Sequence, residues 1–281
     1  MPWVTATIAA CVALLLTLAA LTRGALRRMR RAASALNDTI PVNSAWWRAR
    51  AKEQGDLLYA ALGDSAAQGL GATEPDDGYV GLLARSIALR GRRSVRTVNL
   101  SVSGATVAQL IDYQLPRLAK LQPDVVTVAI GSNDIARWDA VAFARGLVTV
   151  FDALPSHAIV AELPYFYLPR NERKVAEANR IVRRLATERG LAVAPVHRAT
   201  RALGPLGALL WFAGDHFHPN DAGYRVWAAA FEPLVARRVE ELSVHEISAH
   251  APAAIEPSTG ASAERDSTSP PATEGGVGGR P

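Results

Sequence analysis

The stretch that decides the fold is LLYAALGDSAAQGLG, residues 57–71. An apolar run over residues 57–62 stops at Gly63-Asp64-Ser65. Small residues with Gly69 and Gly71 then carry the backbone through a tight turn. This is how a buried strand delivers one hydroxyl to the edge of a sheet. Taken alone, the same letters also suit a strand followed by a helix whose free N–H groups are capped by Asp64 or Ser65. Partners elsewhere in the chain must decide.

Outward from that turn, strand-like and helix-like stretches alternate. Apolar runs at residues 57–62, 95–100, 125–130, 158–163 and 191–195 read as strands, several nearly unbroken, as expected when both faces of a sheet are covered. Between them, Val175, Ala178, Val182 and Leu185 recur at helical spacing, leaving Glu172, Arg173, Glu177 and Arg183 for the wet side. Val107, Leu110, Ile111, Leu118 and Leu121 mark a second helix, interrupted near Pro116. A last helix is expected from Pro219, a residue suited to a first helical position, to about Leu242. This βαβ alternation predicts a three-layer α/β/α domain around a parallel sheet.

The appendages differ in kind. Residues 1–22 carry no charged side chain, and about 20 apolar residues suffice to cross a bilayer as a helix. Arg23, Arg27, Arg28, Arg30 and Arg31 follow at once. A secretory signal would put its positive charge before the apolar run and a small-residue cleavage site after it. The expectation is therefore a membrane-spanning anchor, followed by a basic juxtamembrane connector over 23–55. The arginines lean the domain toward the cytoplasmic face and can grip anionic head groups. Trp46-Trp47 suits either a membrane interface or packing on the domain itself. Residues 245–281, rich in Pro, Gly, Ser and Thr without an apolar period, are expected to be disordered.

The net charge of +5 is spread along the chain apart from that one basic cluster, so it points to a membrane and not to nucleic acid. The single cysteine, Cys11, rules out an intrachain disulfide and a cysteine-based zinc site. The domain over 56–244 must stand on its core.

The polar motifs follow the strands. Ser65 comes after the first, Gly104 after the second, and Gly131-Ser132-Asn133-Asp134 after the third. In a sheet ordered 2-1-3-4-5 the first and third strands flank the crevice where ligands bind, so Ser65 and Asn133 should face one another. A serine hydroxyl needs an imidazole to take its proton and a carboxylate to orient that imidazole. Of the six histidines, His218 has Asp215 three residues earlier and Pro219 after it. His216 also neighbours Asp215, but i to i+3 is the easier reach within a turn. Asn133, Gly104 and the Ser65 N–H are candidate donors to an oxyanion. The aromatic residues Tyr165, Phe166, Tyr167, Trp211 and Phe212 suit an acyl pocket or plain core packing.

These four stretches, Gly63-Asp64-Ser65 with Gly69 and Gly71, residues 99–104, Gly131–Asp134 and Asp215-x-x-His218-Pro219, resemble in order and register the sequence blocks of the SGNH, or GDSL-like, hydrolases. One departure is Ala66, where many members carry Leu. The resemblance implies a flavodoxin-like five-stranded fold and an ester hydrolase with Ser65, His218 and Asp215 as catalytic residues. It also implies an oxyanion hole of Ser65, Gly104 and Asn133, and no metal or organic cofactor. Esterases, lipases, carbohydrate deacetylases and acyltransferases all fall within that family. Two other readings stand beside it: a metal site built from Asp215, His216, His218 and Asp221, and a membrane-tethered binding module without activity.

Overall fold

The computed structural model describes residues 2–204, 207 and 210–250. Five parallel strands, β1 (Leu57–Gly63), β2 (Val95–Asn99), β3 (Val125–Ala129), β4 (Ile159–Ala161) and β5 (Ala192–Ala194), form one sheet in the order β2-β1-β3-β4-β5. The helices are α1 (Pro2–Arg50), α2 (Tyr79–Gly91), α3 (Val107–Tyr113), α4 (Leu115–Leu118), α5 (Ala140–Asp152), α6 (Pro169–Thr187), α7 (Val196–Arg201) and α8 (Asp221–His250).

Successive side chains of a strand point to opposite faces, and both faces of this sheet are covered, so β1 and β3 bury their residues alternately in two cores. Ala60 and Leu62 of β1, with Val126 and Val128 of β3, face a core built with α3, α5 and α6. Tyr59 and Ala61, with Val125 and Ala129, face a second core built with α2 and α8. In this second layer Tyr79 stacks on Phe231 at 5.3 Å and on Trp227 at 5.6 Å. The fully buried Phe231 ring contributes roughly 1.5–3 kcal/mol by leaving water. Val175, Ala178, Val182 and Leu185 of α6 are buried as their spacing requires.

Local departures from the sequence reading have identifiable causes. The wet side of α6 is largely committed: Glu177 accepts from the Trp138 indole, Arg183 pairs with Glu162, and Glu172 meets His197. The interruption near Pro116 falls at Gln114, between α3 and α4. Helix α8 starts at Asp221, because Pro219 is bridged to Phe212 and the Asn220 side chain caps the Gly223 N–H. It runs on to His250, past the expected end near Leu242, and the first breaker beyond it is Pro252. The remainder of the stretch expected to be disordered, 251–281, lies outside the described residues.

The expected connector is helical: α1 continues through Pro41 to Arg50 without a break. Its domain-facing positions, Ala32, Leu36, Ile40, Asn43 and Trp47, recur every three or four residues. Trp47 is buried, and its indole N–H donates to the Gln68 carbonyl at 3.1 Å, so this tryptophan packs on the domain. The amino-terminal part of α1 is long and apolar enough to cross a membrane, with mean hydropathy 1.9 and none of that window buried. A signal sequence meets the same test.

Candidate active site

Strand β1 ends at Gly63, whose position is fixed by close packing: an added Cβ would lie 2.4 Å from the Ala129 carbonyl oxygen of β3. The buried Gln114 side chain clasps this peptide, accepting from the Gly63 N–H at 2.9 Å and donating to its carbonyl at 2.7 Å. The turn that follows holds Ser65 at the carboxyl end of the sheet. Asn99, at the end of β2, donates to the Ala67 carbonyl, and Gln68 donates to the Ser101 carbonyl. The serine turn is thereby tied to the next strand.

The loop before α8 brings the histidine to this turn. Asp215 accepts the N–H groups of Phe217 and His218 at 3.0 and 3.1 Å, while its other oxygen lies 2.6 Å from His218 Nδ1. His218 Nε2 is 3.0 Å from Ser65 Oγ. Burial pushes the Asp215 carboxyl up, but the hydrogen bonds from the His218 ring and the two N–H groups outweigh it, leaving the group below its ordinary range. An ionised Asp215 takes the Nδ1 proton as acceptor, which leaves Nε2 free to accept from the serine. Gly71 packs under this contact: a Cβ there would lie 3.0 Å from His218 Cβ and 2.5 Å from the Pro219 carbonyl.

The expected oxyanion donors stand in different states. Among the described residues neither the Ser65 nor the Gly104 N–H donates to a protein group. Gly104 adopts φ +81 and borders open space. Asn133 has one firm bond, Nδ2 to the Ala105 carbonyl at 3.0 Å, and a long one to Asp64 Oδ2 at 3.4 Å. The second is weak enough to be exchanged for a ligand. Burial pushes the Asp64 carboxyl up to about 6, against the pull of the Ala66 N–H and of His218, with Asp134 adding to the rise.

A cleft of about 190 Å³ opens over Ser65, Asn133 and His218. Tyr165, Phe166, Tyr167 and Phe212 line it, whereas Trp211 faces a separate groove with Val193 and Arg198. His216 also lines the cleft, at φ +53. Asp221 is taken by Thr73, through its N–H and hydroxyl at 2.7 Å each. Among the described residues no three His, Cys, Asp or Glu side chains are arranged to hold a metal ion.

Two contributors escaped the sequence reading. Gln114 occupies a position of the 107–118 apolar stripe, and a polar residue on a core stripe was the available signal. The Glu172–His197 pair, at 2.6 Å, supports the aromatic side of the cleft, since Glu172 also accepts the Phe166 N–H. Nothing in the spacing of those two residues marks them as partners.

The sequence model of the GDSL-like Lipase/Acylhydrolase family matches residues 61–226, leaving α1 outside the match. An acetylxylan esterase from Geobacillus stearothermophilus is 27% identical over 204 residues, covering 65% of this chain and 85% of that protein. An α/β hydrolase enzyme from the metagenome of Lake Arreo, Spain, is similar in structure. Its TM-score is 0.54 at 25% identity, over 65% of this chain and 96% of the other. The lipase/acylhydrolase from Enterococcus faecalis shares the fold, with TM-score 0.54 at 22% identity, over 65% and 96%. The chain belongs to the GDSL-like lipase/acylhydrolase family and is a carboxylic ester hydrolase of that kind.

Proposed function

We propose that the protein is a membrane-anchored serine esterase that works through an acyl-enzyme on Ser65. The observation that carries this reading is the bridging position of His218, 2.6 Å from Asp215 on one side and 3.0 Å from Ser65 on the other. As Ser65 Oγ attacks the ester carbonyl carbon, its proton passes to His218 Nε2, and Asp215 stabilises the imidazolium that forms. The negative oxygen of the tetrahedral intermediate takes the N–H groups of Ser65 and Gly104 and the Asn133 amide. Collapse breaks the bond to the alcohol, which leaves with the proton from His218. Water then attacks the acyl-serine, giving its proton to the same nitrogen. Collapse of this second intermediate breaks the acyl–Oγ bond, returns that proton from His218 to Ser65 Oγ and releases the carboxylic acid.

Removal of acetyl groups from carbohydrate is a second reading, favoured by the likeness to the acetylxylan esterase. The Tyr165, Phe166 and Tyr167 wall suits the face of a sugar ring as well as an acyl chain. The uncleaved anchor is supported by the apolar run of α1 and the arginines that follow it. Labelling of the intact protein with a fluorophosphonate, followed by a panel of aryl esters and acetylated sugars, tests these readings. Labelling that persists in Ser65→Ala would overturn the mechanism, and the substrate panel separates acyl esters from acetylated sugars.

A further inference from the structure

The course of α1 relates the active-site mouth to the membrane. Behind Arg50 the chain passes the amino end of the sheet, where the Ala51 carbonyl accepts from Arg96 Nε at 2.9 Å and β1 begins. Three residues earlier in α1, Trp47 lies at Gln68, beside the serine turn, and Asn43 Nδ2 lies 3.4 Å from the same Gln68 carbonyl. Further back, Ala32 meets the histidine loop: a Cβ added at Gly214, next to Asp215, would sit 3.1 Å from Ala32 Cβ. Followed toward its amino end, the helix therefore climbs from the strand-amino side to the strand-carboxyl side. It leaves the domain at the loop that carries Asp215 and His218.

What lies beyond that exit is suited to a bilayer. Arg23, Arg27, Arg28, Arg30 and Arg31 are exposed and have no partner among the described residues. Residues 2–22 follow. From Ala32 to Thr22 the helix advances about 15 Å, against roughly 5–8 Å of headgroup region on each side of a bilayer. With no loop between the two parts of α1, the domain cannot turn freely about its anchor. The cleft side also carries exposed apolar side chains from separate loops: Leu168, Phe217 and, beside Gly104, Val102.

We infer that α1 holds the mouth of the cleft toward the membrane surface from which the helix emerges, and that the substrate is an amphiphilic ester carried in that surface. This rests on the reading of Ser65 as nucleophile and of α1 as anchor. It goes beyond that reading by naming the face and the substrate class. The arginines complement anionic head groups, and the rim residues meet the interface while the reacting ester enters above Ser65. Tethering and orientation together raise the local concentration of bilayer-borne ester at the cleft.

The test uses the full chain with Cys11→Ser, reconstituted in phosphatidylcholine vesicles containing phosphatidylglycerol. A single cysteine at Leu168→Cys, on the rim, or Leu89→Cys, an exposed position of α2 near the amino end of β1, carries a fluorophore. Lipids with a headgroup quencher should quench the first and spare the second. Equal quenching, or stronger quenching at position 89, overturns the proposal. In parallel, a flexible Gly-Ser insertion between Arg31 and Ala32 should leave turnover of a soluble aryl butyrate unchanged. Turnover of a long-chain aryl ester dissolved in the vesicles should fall on the order of tenfold. Equal turnover of the vesicle ester with and without the insertion overturns it. Failure of the underlying reading shows separately, as loss of soluble-ester turnover in the Cys11→Ser parent or as a protein that does not stay with the vesicles.

Discussion

Gln114 and Gly63 are joined by a pair of hydrogen bonds, side-chain amide to peptide, that stands in for a strand neighbour where β1 runs out of sheet. The Gly63 carbonyl has a second donor in the Val102 N–H, but its own N–H has only Gln114. Gln114→Ala should orphan that buried N–H and cost about 1–3 kcal/mol of stability. Because Asp64 and Ser65 follow directly, kcat should fall as well. Urea denaturation and aryl-ester kinetics check the two effects; an unchanged midpoint would show the clasp to be dispensable.

Asp64 makes stability depend on pH in an unusual direction for a carboxylate. Burial raises its folded pKa to about 6, above the unfolded value, so the native state binds the extra proton between the two. Its contribution is fully present below about pH 4 and is lost as pH rises through about 6. The loss at pH 8 is on the order of 3 kcal/mol. Asp64→Asn should therefore stabilise the protein more at pH 8 than at pH 4, measured as the shift in denaturant midpoint. An equal shift at both values would remove this residue from the pH dependence.

Ser65→Ala should lower ester turnover by roughly 10⁴-fold or more while leaving the fold intact. Asp215→Asn keeps an acceptor for the Phe217 and His218 N–H groups but weakens the hold on the imidazole tautomer. It should lower kcat by as much as about 10⁴-fold with KM little changed. Steady-state kinetics with a circular dichroism control distinguish loss of chemistry from loss of structure.

Asn133→Ala should cost on the order of 10²-fold in kcat. The firm bond to the Ala105 carbonyl would be lost too, so a thermal melt belongs beside the rate measurement. A reduced rate at unchanged melting temperature assigns the loss to the oxyanion; a rate equal to wild type excludes Asn133 from that role.

Much of the architecture was legible in the chain because it is written in local periodicity. Nearly unbroken apolar runs announced strands buried on both faces, and the alternation of β1 between two cores, Tyr59 to one and Ala60 to the other, bears this out. The ends of elements were less legible. Pro219 looks like a helix start, yet its pairing with Phe212 and the cap at Asn220 shift that start to Asp221. Such capping depends on a partner strand or loop that one-dimensional spacing does not contain.

By itself the sequence determined the layer order, the strands and the placement of Ser65, Gly104 and Asn133 after successive strands, since each follows from period and turn chemistry within a short window. Only the tertiary structure decided that His218 Nε2, rather than a nitrogen of His216, lies 3.0 Å from Ser65. It likewise decided that Gln114 clasps Gly63, that Trp211 turns away from the cleft, and that α1 docks through Trp47. Those contacts join residues far apart along the chain, and their geometry is set by how helices and loops close over the sheet, which no local pattern of side chains encodes.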